Sequence, residues 1–206
     1  MENDETRTDS RALADDREAK RLLKLVEARD EAAFTSLYRM QSRAVYAFVL
    51  NHLRNPTEAE EVMVDTMYEV WRHAGQFQGQ SRVRTWILGI ARNKMLMKLR
   101  SLRRSDHDDV EDLPDGVEYE LVRDEPDAID MIARTQEQAG VRQCIDKLAS
   151  MYRECLHLFY FDECSIAEIA TVQRVDENRV KGRLFQARIK IKACLANLCR
   201  DQGRPI

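Results

Sequence analysis

The stretch from Ser105 to Asp130 constrains this chain more than any helix in it. It holds 12 acids against one base, Arg123, and contains Pro114, Gly116 and Pro126 with little helical periodicity. A segment so charged and so poor in periodic apolar residues cannot give a face to a packed core, and it reads as an exposed, flexible linker. A chain of 206 residues is long enough for a small domain on each side of it, because domains of about 100 residues fold alone. The predicted organisation is a flexible acidic tail over residues 1–20, a first domain over 21–104, the acidic linker over 105–130 and a smaller domain over 131–200.

Two segments, one directly before the linker and one further along the second domain, are basic. Arg82 to Arg104 carries 8 Lys or Arg and no acid, and Arg174 to Lys192 carries 7 bases against Asp176 and Glu177. The net charge of -3 averages over these blocks and hides them. With only 7 Gly and 4 Pro, a sheet-rich architecture needing a turn residue every few positions is excluded, and an all-α fold is predicted. No apolar run approaches the ~20 residues of a membrane span. The first twenty residues lack the apolar stretch of an export signal, so the expected compartment is the cytoplasm.

Within the first domain, Phe34, Leu37, Tyr38, Val45, Phe48 and Val49 repeat at three- and four-residue steps, as one buried helix face does. Asn55-Pro56 breaks that helix. Thr57 followed by Glu60 has the form of a capping box for the next. There Ala59, Val62, Met63, Thr66, Met67, Val70 and Trp71 make a core stripe, while Glu58, Glu61, Asp65 and Glu69 recur on another side. Those four carboxylates fit either a solvated face or a docking surface for a basic partner. Gly75 and Gly79 then bracket Phe77 in a loop. The helix after it sets Trp86, Ile90 and Met97 on one stripe among Arg84, Arg92, Lys94, Lys98, Arg100, Arg103 and Arg104. That much uncompensated charge suits a polyanion, with a plain solvated face as the alternative. Asn93 lies among the bases, and its amide both donates to and accepts from a base edge.

In the second domain, Ser165 and Glu168 form a second capping box, opening a short helix with Ile166, Ile169 and Ala170 inward. After a turn through Gln173, Arg174 and Val175, Asp176 caps a longer helix whose stripe is Val180, Leu184, Ala187, Ile191 and Leu198. This is a helix-turn-helix pattern, with Asn178, Arg179, Lys181, Arg183 and Arg188 placed for phosphates and guanine edges. The five cysteines, Cys144, Cys155, Cys164, Cys194 and Cys199, are odd in number and lack Cys-x2-Cys spacing. They are expected as reduced, mostly buried thiols, with redox or metal sensing the alternative. His52, His73, His107 and His157 are scattered, and no catalytic group, metal or cofactor is expected.

In this order and at these distances the motifs resemble those of the extracytoplasmic-function sigma factors, the small two-domain sigma-70-type subunits that give bacterial RNA polymerase its promoter specificity. Residues 33–38 (AFTSLY) resemble the family's opening helix, and residues 57–71 (TEAEEVMVDTMYEVW) its polymerase-binding helix. Residues 77–93, with TWI and IARN inside them, resemble the loop and helix that recognise the minus-10 element, and 165–184 the minus-35 reader. The resemblance implies that Glu58, Glu61, Asp65 and Glu69 dock on the clamp helices of the largest core subunit, with a further contact of the chain to the flap. It implies that Phe77, Gln80, Ser81, Arg84, Arg92 and Asn93 bind minus-10 DNA, the first three around a flipped base. Asn178, Arg179, Lys181, Arg183 and Arg188 would bind minus-35 DNA, and an anti-sigma factor would hold the two domains inactive.

The chain departs from the family pattern at Leu148-Ala149, where Leu-Pro is usual, at Arg174, where the turn usually has Gly, and at Asn178-Arg179 in place of Gly-Thr. These departures bear on which minus-35 sequence is read. A stand-alone helix-turn-helix regulator is the competing expectation, and a helical adaptor for acidic proteins a third.

Overall fold

The computed structural model describes residues 2–105 and 138–201. All regular elements among these residues are helical, and they belong to two compact units. The linker expected over 105–130 falls, from residue 106 on, outside the described residues. No described helix is long and apolar enough to cross a membrane.

The first unit contains α1 (Glu2–Glu27), α2 (Glu31–Leu53), α3 (Pro56–His73), a single 3-10 turn (Ala74–Gln76) and α4 (Val83–Ser105). Residues 2–20, most of the segment expected as a tail, are helical and belong to α1. The reason is visible at Ala19, Leu22, Leu23 and Val26, which recur at helical spacing and are all buried. Charge counting passed over that stripe. At the α1–α2 turn Arg29 takes a left-handed φ of 68°, and Asp30 caps α2 by accepting from the Ala33 amide at 2.9 Å.

The cap of α3 also differs from the expectation. Asn55, in extended backbone, accepts from the Thr57 and Glu58 amides at 3.0 and 3.3 Å, and Pro56 occupies the first turn. Proline suits that position because its missing N–H would be unbonded there anyway. Thr57 thus lies one step inside the helix, and the Thr57–Glu60 capping box does not form. The predicted α3 stripe is buried from Ala59 to Val70, with Trp71 half-buried. In α4 the stripe is displaced by one residue: Ile87, Leu88, Ala91 and Met95 are fully buried, whereas Met97 is 64% exposed.

The described residues from 138 on form α5 (Gln138–Asp146), α6 (Ser150–Tyr160), α7 (Ile166–Gln173) and α8 (Glu177–Asp201). The second capping box forms as expected: Ser165 N donates to Glu168 Oε2 at 2.9 Å, and Glu168 N to Ser165 Oγ at 3.3 Å. Arg174 takes a left-handed φ of 56°, and the Val175 amide turns back to the Ala170 carbonyl at 3.1 Å. This is the position at which the turn ordinarily favours glycine, so the departure at Arg174 leaves the turn geometry intact but strained. Asp176 then caps α8 by accepting from the Arg179 amide at 2.9 Å.

One cysteine expectation is corrected. Cys144 of α5 and Cys194 of α8 form a disulfide across 50 residues, with Cα atoms 5.8 Å apart. Cys155 and Cys164 are buried, as expected. The pairing joins two helices of one unit and followed no spacing motif. His157 is buried and bonded to Asp162 at 3.0 Å, and His52 Nδ1 lies 2.8 Å from the Phe48 carbonyl, so both histidines sit in structural surroundings.

Candidate nucleic-acid interface

The acidic side of α3 is not an open face. Lys98 of α4 lies 2.5 Å from Glu58 and 2.7 Å from Glu61, and Lys94 lies 2.6 Å from Glu69. His73 approaches Glu69 from within α3 at 3.1 Å. The hydrogen bond from Lys94 holds the Glu69 carboxyl below its ordinary value. Three of the four predicted docking carboxylates therefore bridge α3 to α4, and these pairs take up two cations counted as available to DNA. Among the four, only Asp65 has no such bridge among the described residues. It shares the outward surface with Val64, 50% exposed, and Tyr68, 57% exposed, over which the Arg72 guanidinium lies at 5.8 Å. An exposed valine and tyrosine at four-residue spacing were the signal in the sequence for this surface, and the acidic residues drew attention from it.

The loop between α3 and α4 is built around one aromatic pair. Phe77 and Trp86 have ring centroids 5.5 Å apart at 57°, and both rings are half-buried. Trp86 is thus neither a plain core residue nor free, but a support for Phe77. Gly79 has a left-handed φ of 74°, a conformation open to glycine at no steric cost. Gln80 is exposed, with its amide on Gln78 at 3.1 Å, and the half-buried Ser81 hydroxyl donates to the Arg82 carbonyl at 3.2 Å. On α4, Arg84, Arg92 and Asn93 are half-buried.

What fixes this loop comes from α1. Arg82 stands just before α4, and its side chain has no acceptor with which to cap the helix. Asp16 supplies one instead, accepting from the Val83 amide at 2.9 Å across 67 residues. Lys20 in turn holds Asp16 at 2.8 Å. Beside this anchor lies an open cleft of about 350 Å3, lined by Lys20, Arg21, Leu23, Lys24, Glu27, Ala74 and Phe77. Of the three residues expected around a flipped base, the cleft includes Phe77 and neither Gln80 nor Ser81. The α1 residues lay in or beside the segment read as a tail, and an Asp with Lys four residues later was their only sequence signal.

On α8 the five predicted residues divide. At 100° per residue, Asn178 and Lys181 share one flank with Arg188, while Arg179 and Arg183 occupy the other. Asn178, Arg179 and Lys181 are exposed and Arg183 is half-buried. Arg179 Nε lies 3.5 Å from the Asp176 carboxylate. Arg188 is turned toward α6, where its guanidinium lies 6.0 Å over the Phe159 ring and donates to the Tyr160 hydroxyl at 3.3 Å. It packs helices together, in contrast to the exposed bases at the start of α8.

The matches to known proteins fall on these two regions. The Sigma-70 region 2 family matches residues 37–105, and the Sigma-70, region 4 family matches residues 138–191. The chain is 30% identical over 157 residues to the ECF RNA polymerase sigma factor RpoE of Cereibacter sphaeroides, covering 76% of this chain and 82% of that one. Among solved structures, CnrH in complex with the cytosolic domain of CnrY is similar with a TM-score of 0.62 at 23% identity, covering 87% of this chain and 98% of that one. The sigma factor RpoE of Bartonella quintana, in complex with the anti-sigma factor NepR, is similar with a TM-score of 0.59 at 19% identity, covering 79% and 96%. A glycine-bracketed aromatic loop leading into a basic helix in one unit, a helix-turn-helix in the other, and matches to region 2 and region 4 in that order lead to one assignment: this chain belongs to the ECF sigma factors of RNA polymerase.

Proposed function

We propose that this alternative sigma factor divides its work among three surfaces. The outer face of α3, with Val64, Asp65 and Tyr68 at its centre and Glu58, Glu61 and Glu69 at its edge, docks on the clamp helices of the largest core subunit. The Phe77 loop and the start of α4, with Gln80, Ser81, Arg84, Arg92 and Asn93, take the minus-10 element and hold it melted. The exposed start of α8, with Asn178, Arg179, Lys181 and Arg183, enters the minus-35 major groove, with Arg188 bracing it from behind. The flap receives the second unit. The chain performs binding and melting and no covalent chemistry, in the cytoplasm, where core polymerase and promoter DNA meet it. An anti-sigma factor is the expected regulator, as NepR is the partner in the Bartonella quintana complex.

The observation that carries this reading is the Phe77 loop, held between Trp86 and the Asp16-capped start of α4. A stand-alone helix-turn-helix regulator has no need of such a loop. Transcription from a promoter library with purified core is the test. The wild-type chain is expected to direct initiation from a defined set of promoters, and Asp65→Arg combined with Tyr68→Ala to abolish both core association and transcripts. Core-independent DNA binding with no transcript, or full transcription by the double variant, would refute it.

A further inference from the structure

The first unit has three glycines, and two of them have a reason inside the fold. Gly79 takes a left-handed φ of 74°, and a Cβ on Gly75 would lie 2.8 Å from Glu27 Oε1. Gly89 has neither. It lies in the body of α4 in ordinary helical backbone, and a Cβ there would meet nothing within 4 Å. Glycine is, after proline, the poorest residue for a helix interior, because it gives up the most backbone freedom on folding. At Gly89, α4 thus carries a destabilising residue that no packing contact of the described residues requires.

At 100° per residue, Gly89 lies on the side of α4 turned away from Ile87, Leu88, Ala91 and Met95, which are buried in the core. The half-buried Trp86 and Asn93 share that side, and so does Arg100, exposed and without an ion pair among the described residues. Arg92 borders it. The helix backbone is bare at Gly89, so a partner comes closer to the α4 axis there by about the width of a methyl group. Glycine serves in this way wherever a backbone and a ligand approach closely. An apolar protein surface seated there would bury Arg100 without an acceptor, at a high desolvation cost. A sugar–phosphate backbone supplies the acceptors, and guanidinium and amide groups are the usual donors to it.

We infer that Gly89 is a positioning residue of the minus-10 interface: it lets the sugar–phosphate backbone of the promoter lie directly against α4, within reach of Arg92, Asn93 and Arg100. The inference rests on the minus-10 reading above and adds to it a residue that acts through the absence of a side chain. The interior amides and carbonyls of a helix are already bonded to one another, so Gly89 contributes space and not a hydrogen bond. The helix stability lost at this position is offset only when DNA is bound.

The test uses holoenzyme assembled from purified core and the full chain, as wild type, Gly89→Ala and Gly89→Leu; leucine is a strong helix former and cannot bond a phosphate. In the free chain both substitutions are expected to stabilise the first unit in a urea titration, alanine by about fivefold in the folding equilibrium constant. On promoter templates the order reverses. Gly89→Ala lowers the rate of open-complex formation a few-fold and Gly89→Leu by about tenfold or more, the scale of a lost charge-assisted hydrogen bond, while core association stays unchanged. Templates carrying one uncharged methylphosphonate linkage, moved stepwise through the minus-10 element, locate the contact. At one linkage the wild type is expected to lose opening and Gly89→Leu to lose nothing more, because both changes remove the same interaction. Full opening by Gly89→Leu, or additive losses at every linkage, would overturn the inference while leaving the sigma-factor reading intact. A fall in stability in Gly89→Ala would overturn it too, since the glycine would then serve the fold. A wild-type holoenzyme that opens no promoter would overturn the minus-10 reading on which the inference rests.

Discussion

Asp16 is the residue through which α1 holds the start of α4, and removing its carboxylate is the sharpest test of that construction. Its Oδ1 accepts from the Val83 amide at 2.9 Å, and the Asp16 side chain is only 11% exposed where Lys20 meets it. Loss of a helix-start acceptor costs about 1–2 kcal/mol. The negative charge beside the helix start adds about 0.3–1 kcal/mol, and the half-exposed pair with Lys20 contributes a few tenths of a kcal/mol at most. These effects overlap, so Asp16→Ala is expected to destabilise the first unit by about 2 kcal/mol. Asp16→Asn keeps an acceptor and loses the charge, and should cost about half as much. Both tryptophans of the chain, Trp71 and Trp86, lie in the first unit, so intrinsic fluorescence in a urea titration follows that unit alone. Amide exchange at Val83 reads the bond itself, and its protection should fall in both variants, further in Ala than in Asn. An unchanged urea midpoint together with unchanged Val83 exchange in Asp16→Ala would refute the idea that α1 anchors this loop.

Other consequences follow from single contacts. Arg174→Gly relieves a side chain at φ 56° but gives the unfolded chain more freedom, leaving a net gain of about 0.5–1 kcal/mol in calorimetry; destabilisation would show that the turn is not strained. Reducing the Cys144–Cys194 bridge, or Cys194→Ser, should destabilise the second unit by about 2–4 kcal/mol, since it closes a 50-residue separation, while the tryptophan transition of the first unit stays where it is. Because Lys94 lowers the Glu69 pKa in the folded state, that pair's stabilisation is present above the ordinary carboxylate range and is lost as pH falls through the lowered value. It amounts to less than about 1 kcal/mol for a half-exposed pair, and Lys94→Met should abolish that part of the acid dependence. Arg188→Ala should cost about 0.5–1 kcal/mol of stability with little change in minus-35 affinity at fixed salt, and Lys181→Ala should do the reverse.

The parts of this fold that the sequence announces are those set by neighbours a few residues apart. The Ser165–Glu168 box and the Asp176 cap close over three residues, and the Val180, Leu184, Ala187, Ile191 stripe repeats within one helix. The resemblance built on these local motifs placed both regions. What escaped depends on residues far apart in the chain. Glu69 meets Lys94 across 25 residues and Glu61 meets Lys98 across 37, so a face acidic in sequence is partly neutralised in the fold. The Asp16 cap spans 67 residues, and no pattern near Val83 points to it. The Thr57 expectation fails for a local reason: Asn55-Pro56 ends α2 and is at once the cap and first turn of α3. The one-residue displacement in α4 came from following Trp86, whose ring faces Phe77 and not the core.

These long-range pairs also decide where docking energy on α3 would come from. An exposed ion pair is worth about 0–1 kcal/mol, and Glu58, Glu61 and Glu69 already spend part of their attraction on Lys98 and Lys94. A basic partner reaching them must compete with ammonium groups at 2.5–2.7 Å. Val64 faces no such competition, and the Tyr68 ring meets the Arg72 guanidinium at 5.8 Å. Val64 and Tyr68 are 50% and 57% exposed, and full burial of side chains of this size is worth about 1.5–3 kcal/mol each, so covering what remains open yields roughly half that apiece. Asp65 beside them adds direction, since charge at an interface governs encounter and register more than affinity. On this reasoning the proposed docking would be steered to α3 by the carboxylates and held there by the valine and tyrosine between them.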